Sequence, residues 1–188
     1  MISPQKVILP GIIGGSVLLV LIVHLLTATQ VAVASTPAPA ATSRPKTQSA
    51  AGSTCTLSLP DSISPWCQQI EQSAQKYNVP ASLIAAVMLQ ESGGQSDVIS
   101  SSGAVGLLQV MPSDGIAASF ICGSGPCFAS RPTTRQLLDP AYNVDYGVRL
   151  LADLIQKYGS EREALKSYGP YDVGYTYADK VLAIRGNL

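Results

Sequence analysis

Pro80-Ala81-Ser82-Leu83-Ile84-Ala85-Ala86-Val87-Met88-Leu89-Gln90-Glu91-Ser92-Gly93-Gly94 is the stretch on which the fold turns. Proline opens a helix well, because the N–H it lacks would have no partner there. Glycine closes one, because it enters the left-handed region without strain. Between these signals Leu83, Ile84, Val87 and Met88 recur at helical spacing. Glu91 falls on the same stripe, four residues after Val87 and seven after Ile84, in the last turn. Apolar neighbours and the negative end of the helix dipole both disfavour a carboxylate there and raise its pKa. A carboxyl that titrates near neutrality suits general acid–base chemistry. The plain alternative is a glutamate at the edge of the stripe that reaches solvent.

Working outward from this helix, the same signals recur. Ser64-Pro65 reads as an N-cap and first turn, with Trp66, Ile70, Ala74 and Tyr77 on one face and Asn78 as the stop. Asp139-Pro140 opens a helix lined by Val144, Val148, Leu151 and Ile155 that runs to Gly159. Ser160-Glu161-Arg162-Glu163 has capping-box spacing and starts another, which ends at Gly169. Tyr177, Val181 and Ile184 mark a last helix closed by Gly186. Residues 94–104 and 113–136 are rich in Ser, Gly, Asp and Pro and read as loops. The expectation is a mainly α fold whose long loops carry the binding groups.

Before residue 55 the chain changes character. Val7 to Leu26 is an apolar run near the length of about 20 residues that spans a bilayer, with Lys6 ahead of it. Residues 1–34 are therefore read as a transmembrane anchor or as a signal peptide cleaved after Ala32-Val33-Ala34. Residues 35–54 form a Ser/Thr/Ala/Pro-rich tract without large apolar side chains, expected to be a disordered linker. The globular part is expected at 55–188, outside the cytoplasm in either case. All four cysteines fall there: Cys55, Cys67, Cys122 and Cys127. An even count in an oxidising compartment reads as disulfides, and pairing of sequence neighbours is expected among three connectivities. The alternative is one zinc held by four thiolates.

Composition removes several chemistries. The 12 basic and 12 acidic residues cancel, which argues against nucleic-acid binding. The single histidine, His24, lies in the apolar run, so no imidazole serves the globular part. Ser-His-Asp and Cys-His catalysis and histidine-ligated zinc are excluded. Gln109, set among Leu107, Leu108, Val110 and Met111, is placed either to bond a ligand or to satisfy buried backbone. Tyr168, Tyr171, Tyr175 and Tyr177 supply apolar faces and hydroxyls suited to sugars, or else core side chains.

Glu91-Ser92-Gly93, followed by Gly103-Ala104-Val105-Gly106-Leu107-Leu108-Gln109-Val110-Met111-Pro112, resembles the first two motifs of the soluble-lytic-transglycosylase (SLT) family. Asp139-Pro140-Ala141-Tyr142-Asn143-Val144-Asp145-Tyr146-Gly147 resembles its next helix. Ala164-Leu165-Lys166-Ser167-Tyr168-Gly169-Pro170 and Tyr177-Ala178-Asp179-Lys180-Val181-Leu182 resemble its late tyrosine motifs, all in family order. The resemblance implies a lysozyme-like fold that cleaves the MurNAc–GlcNAc β-1,4 bond of peptidoglycan, leaving a 1,6-anhydro-MurNAc product. Glu91 takes the catalytic acid and base role. Gln109 and Tyr168 line the saccharide cleft, Tyr177 supports Glu91, and Ser92 and Met111 complete the site. No metal or organic cofactor is implied. The implied partner is the glycan strand; the apolar run adds the membrane, and service to a secretion or conjugation machine is a further role compatible with catalysis that the linker permits.

Two features depart from the family pattern. Gly169 stands where an Asn usually follows the tyrosine, and Phe120 to Thr134 looks like an added loop. Two other functions stay open. One is a hydrolytic muramidase of the same fold, as in goose-type lysozyme, with Asp97 or Asp114 positioning water. The other is a non-catalytic wall-binding or assembly protein.

Overall fold

In the computed structural model the described residues are 55–188. The expected anchor or leader at 1–34 and the linker at 35–54 lie outside them. Among the described residues no helix is long and apolar enough to cross a membrane.

These residues form a mainly helical fold. Helix α1 spans Cys67–Tyr77 and stops at Asn78, which adopts the left-handed conformation with φ 53°. Ser64 does not cap it: a 3-10 turn at Ser64–Trp66 comes first, and the Ser64 hydroxyl donates back to the Asp61 carbonyl at 3.2 Å. Helix α2 spans Ala81–Ser92, with Pro80 ahead of it and Gly93 at φ 60° behind. Its apolar stripe proves to be no stripe, since every residue from Leu83 to Met88 is buried. A helix that is apolar on all sides belongs at the centre of a fold.

Helix α1 and the last helix pack directly on α2. Helix α4, Pro140–Tyr158, is capped by Asp139, whose carboxylate accepts the Tyr142 N–H at 2.9 Å. It packs against α1 and against α5, Glu161–Tyr168; α5 packs on α6, Thr176–Arg185, and α6 on α2. Ser160 caps α5 by accepting the Glu163 N–H at 3.2 Å. The reciprocal half of the expected capping box is replaced: the Glu163 carboxylate accepts the Tyr175 hydroxyl at 2.5 Å. Ile70, Ile84, Met88, Leu107, Leu108, Leu151, Leu165 and Val181 belong to one continuous core. Burial of each such side chain stabilises by about 1.5–3 kcal/mol.

The stretch expected to be loop at 113–136 holds more structure than its composition suggested. A 3-10 turn covers Gly115–Ser119, and β1 (Ile121–Cys122) pairs antiparallel with β2 (Gly125–Pro126). A one-turn helix, α3, spans Thr134–Leu137 and carries a complete capping box between Thr133 and Gln136. The cysteines pair as neighbours, Cys55 with Cys67 (Cα separation 5.9 Å) and Cys122 with Cys127 (5.0 Å). All four sulfurs are thereby in disulfides, and the four-thiolate zinc alternative falls.

Candidate functional site

The site is built where the end of α2 meets the loop that follows it. Residues 105–110 turn back on themselves. Val105 and Val110 exchange backbone hydrogen bonds of 3.0 and 3.1 Å, with Gln109 at the positive φ of 43°. Asn143 of α4, fully buried, secures this turn from beneath. Its carbonyl accepts the Leu108 N–H at 2.9 Å, and its amide donates to Val105 at 2.8 Å and Leu137 at 3.0 Å. Two glycines permit the approach. A Cβ at Gly106 would lie 2.5 Å from the Asn143 amide nitrogen, and one at Gly147 would lie 2.7 Å from Leu108. Ser92 secures the other side. It is buried, donates to the Leu107 carbonyl at 2.9 Å and accepts the Gly94 N–H at 3.1 Å. Its hydroxyl is thus engaged with backbone, fastening α2 to the turn.

Glu91 is half-buried at the last turn of α2, and the hydroxyl of Tyr177, from the first turn of α6, donates to its carboxyl. Burial drives the Glu91 pKa from its ordinary 4.5 up to about 7, against the opposing pull of the Tyr177 hydrogen bond. Burial, chiefly, pushes the Tyr177 hydroxyl well above the ordinary tyrosine range, and the Glu91 charge adds to this. Tyr177 is therefore protonated, and a donor, at neutral pH. Its ring lies against the end of α5. A Cβ on residue 169 would sit 2.8 Å from the Tyr177 Cβ and closer still to the ring. Gly169 has φ −71°, a conformation open to any residue, so the glycine is needed here for room.

Tyr168 donates its hydroxyl to the Leu108 carbonyl at 2.8 Å. Burial raises its pKa above the usual range; the Glu91 charge raises it further and the Arg131 charge opposes. Gln109, Met111 and Tyr168 line one pocket of about 90 Å³, together with Arg131, Leu154 and Ser167. The Gln109 amide donates to Gly106 at 3.0 Å and Val98 at 3.3 Å, which fixes the side chain at the pocket wall.

The structure therefore brings Glu91 to Tyr177, and Gln109 and Met111 to Tyr168; Ser92 supports the turn between them. Of the remaining tyrosines, Tyr171 is fully exposed and Tyr175 is engaged with Glu163. Asp114 is committed elsewhere. Its carboxylate accepts both the N–H (2.7 Å) and the hydroxyl (2.6 Å) of Thr134, bonds that hold its pKa below the usual value. Among the described residues no hydrogen bond joins Asp97 to Glu91. Reading of the sequence alone missed Arg131, Asn143 as a clamp, and the steric role of Gly169.

The chain matches the model of the family described as Transglycosylase SLT domain over residues 68–174. Membrane-bound lytic murein transglycosylase C of Haemophilus influenzae (strain PittGG) is 39% identical over 90 residues, 47% of this chain and 24% of that protein. Membrane-bound lytic murein transglycosylase E of Buchnera aphidicola subsp. Acyrthosiphon pisum is 31% identical over 101 residues, 54% of this chain and 44% of that one. Lytic transglycosylase Slt of Pseudomonas aeruginosa, solved as an inactive mutant, aligns at TM-score 0.49 with 22% identity, covering 63% of this chain and 23% of that one. The chain thus spans from about a quarter to under half of the length of these curated relatives.

Proposed function

The chain belongs to the transglycosylase SLT domain family, and from that premise we propose that it is a peptidoglycan lytic transglycosylase acting through Glu91. The observation that carries this reading is the Glu91 carboxyl, raised to about 7 by burial and held in place by Tyr177. At neutral pH a large fraction of it is protonated. It donates that proton to the glycosidic oxygen as the bond from MurNAc C1 breaks. The carboxylate so formed then takes the proton of the same sugar's 6-hydroxyl as O6 bonds to C1. The product is 1,6-anhydro-MurNAc, no water is consumed, and Glu91 ends protonated as it began. Substrate assistance of this kind removes the need for a second carboxylate.

Engagement of Asp114 with Thr134 favours this water-free course over hydrolysis. Gln109, Met111 and Tyr168 form the saccharide-facing wall, Ser92 stabilises it through the Leu107 turn, and residues 55–188 make up a lysozyme-like catalytic domain. The names of the curated relatives, membrane-bound lytic murein transglycosylases, support an envelope location. There residues 1–34 serve as anchor or leader and 35–54 as a spacer. A secretion or conjugation machine is the partner such a tethered enzyme would serve.

Mass spectrometry of muropeptides released from cell walls by the full chain tests the reading, beside a Glu91→Gln control. Anhydro-muropeptides from the wild type are expected, with a control lower by about 10²–10⁴-fold, the usual loss on removing an acid–base group. Reducing-end products would overturn the transglycosylase course. An equally active control would overturn the role of Glu91.

A further inference from the structure

Arg131 lies on the segment Phe120 to Thr134, just beyond the disulfide-closed hairpin. Its backbone N–H donates to Phe128 at 2.9 Å, and the next residue, Pro132, accepts the Ser113 N–H at 2.9 Å. The segment that follows the hairpin is thus joined to the segment just after Met111, and Arg131 lines the pocket beside Gln109, Ser167 and Tyr168. Its guanidinium carbon lies 4.8 Å from the centroid of the Phe128 ring. Stacking of this kind holds the plane while leaving the N–H edge free.

Two other arginines, Arg162 and Arg185, are paired with Asp179 and Glu161. Among the described residues Arg131 has no ion pair, and no carboxylate lines the pocket. The pocket offers Arg131 only neutral polar and apolar neighbours. A fixed, half-buried guanidinium fork with no internal partner matches a planar carboxylate from outside. The pocket volume of about 90 Å³ suits a group of that size and not a second sugar chain. Tyr168, which lines the pocket, donates to Leu108 in the same turn whose Leu107 carbonyl accepts Ser92, the residue after Glu91, and this ties the pocket to the end of α2.

We propose that this pocket binds a free carboxylate of the peptide stem carried by the glycan strand, with Arg131 as its anchor. The inference rests on the peptidoglycan reading above. The sugars of the strand are uncharged, and the lactyl carboxyl of MurNAc is consumed in the amide bond to the stem. The stem is therefore the source of anionic groups next to the cleaved bond. Arg131 then distinguishes stems with free carboxylates from amidated ones, a specificity that the disulfide hairpin supplies.

The test compares two substrates: uncross-linked strands with free stem carboxylates, and the same strands converted to carboxamides. The full wild-type chain is expected to lose about 10-fold or more in kcat/KM on amidation, the effect of one charge-assisted hydrogen-bonded pair. Arg131→Met is expected to lose as much on the free strands and almost nothing further on the amidated ones, while Arg131→Lys recovers part of the preference. An equal loss by Arg131→Met on both substrates, or none on either, would overturn the proposal. Equilibrium binding of both strands to the Glu91→Gln chain, with and without Arg131→Met, needs no turnover. If the wild type released no product, the catalytic reading would fall. A binding preference for free carboxylates that Arg131→Met abolishes would still uphold the pocket, and equal binding would overturn it.

Discussion

Replacing Glu91 by glutamine makes the fold more stable at pH 8 and leaves it little changed at pH 4.5. The reasoning follows the proton. Burial lifts the folded-state pKa of Glu91 from 4.5 to about 7, so between those values the native state binds a proton that the unfolded chain has released. The stability linked to this group is fully present below pH 4.5 and is lost as pH rises to about 7. One pKa unit is about 1.36 kcal/mol, so the whole interval amounts to about 3 kcal/mol. Partial solvent access to the carboxyl trims this to about 2–3 kcal/mol. Glutamine keeps the shape of the protonated acid and can still accept the Tyr177 hydroxyl, but it has no charge to desolvate. Urea unfolding of both chains at pH 4.5, 6 and 8, disulfides intact, reads the difference. Glu71, Asp114 and Asp179 titrate too, each held below its ordinary value by hydrogen bonds. They do so in both chains and below this window, so the wild-type-minus-variant difference isolates Glu91. A difference that stays flat from pH 4.5 to 8 would refute the claim that a strained carboxyl sits at this helix end.

Two further outcomes follow from the same corner of the fold. Tyr177→Phe removes the one bond that lowers the Glu91 pKa, worth about 1.5–3 kcal/mol to a charged acceptor. The alkaline limb of the rate profile is expected to move up by about 1–2 pH units, with a lower maximal rate; an unmoved limb would sink the assignment. Gly169→Ala tests room against freedom. At φ −71° an alanine alone would stabilise by about 0.4–1 kcal/mol through the unfolded chain. Overlap with the Tyr177 ring instead predicts a loss of about 1–3 kcal/mol and a shifted rate profile. Thermal unfolding decides by sign.

What the sequence disclosed was what local rules control. Pro80 and Gly93 bounded α2, Asn78 ended α1, and Asp139-Pro140 opened α4 at their expected positions. Helix α3 escaped because its signal, Thr133 and Gln136, sits in a Gly/Ser/Pro-rich stretch and serves a single turn. Glu91 was legible from periodicity, since the same burial that packs Val87 desolvates a carboxyl one turn on. Burial leads there. Gly169 was read as the loss of an asparagine. Its meaning lies in a contact with a residue eight positions later, and no local pattern encodes such a contact. Arg131 and Asn143 likewise depend on which elements meet. Asn143 offers only a hint, a polar residue on the face of α4 next to Val144.

The Cys55–Cys67 disulfide has a mechanical consequence. It joins the point where the described fold begins directly to the first residue of α1. Any tension transmitted along the chain from the N-terminal side therefore enters the helix through sulfur. The backbone from 56 to 66 forms a closed loop in parallel with that link and carries little of the load. Leu57 and Leu59, which pack against the core from this loop, are thus shielded from being peeled away. Reduction of the bond would reroute the same pull through them, and the fold would begin to unzip from its N-terminal edge.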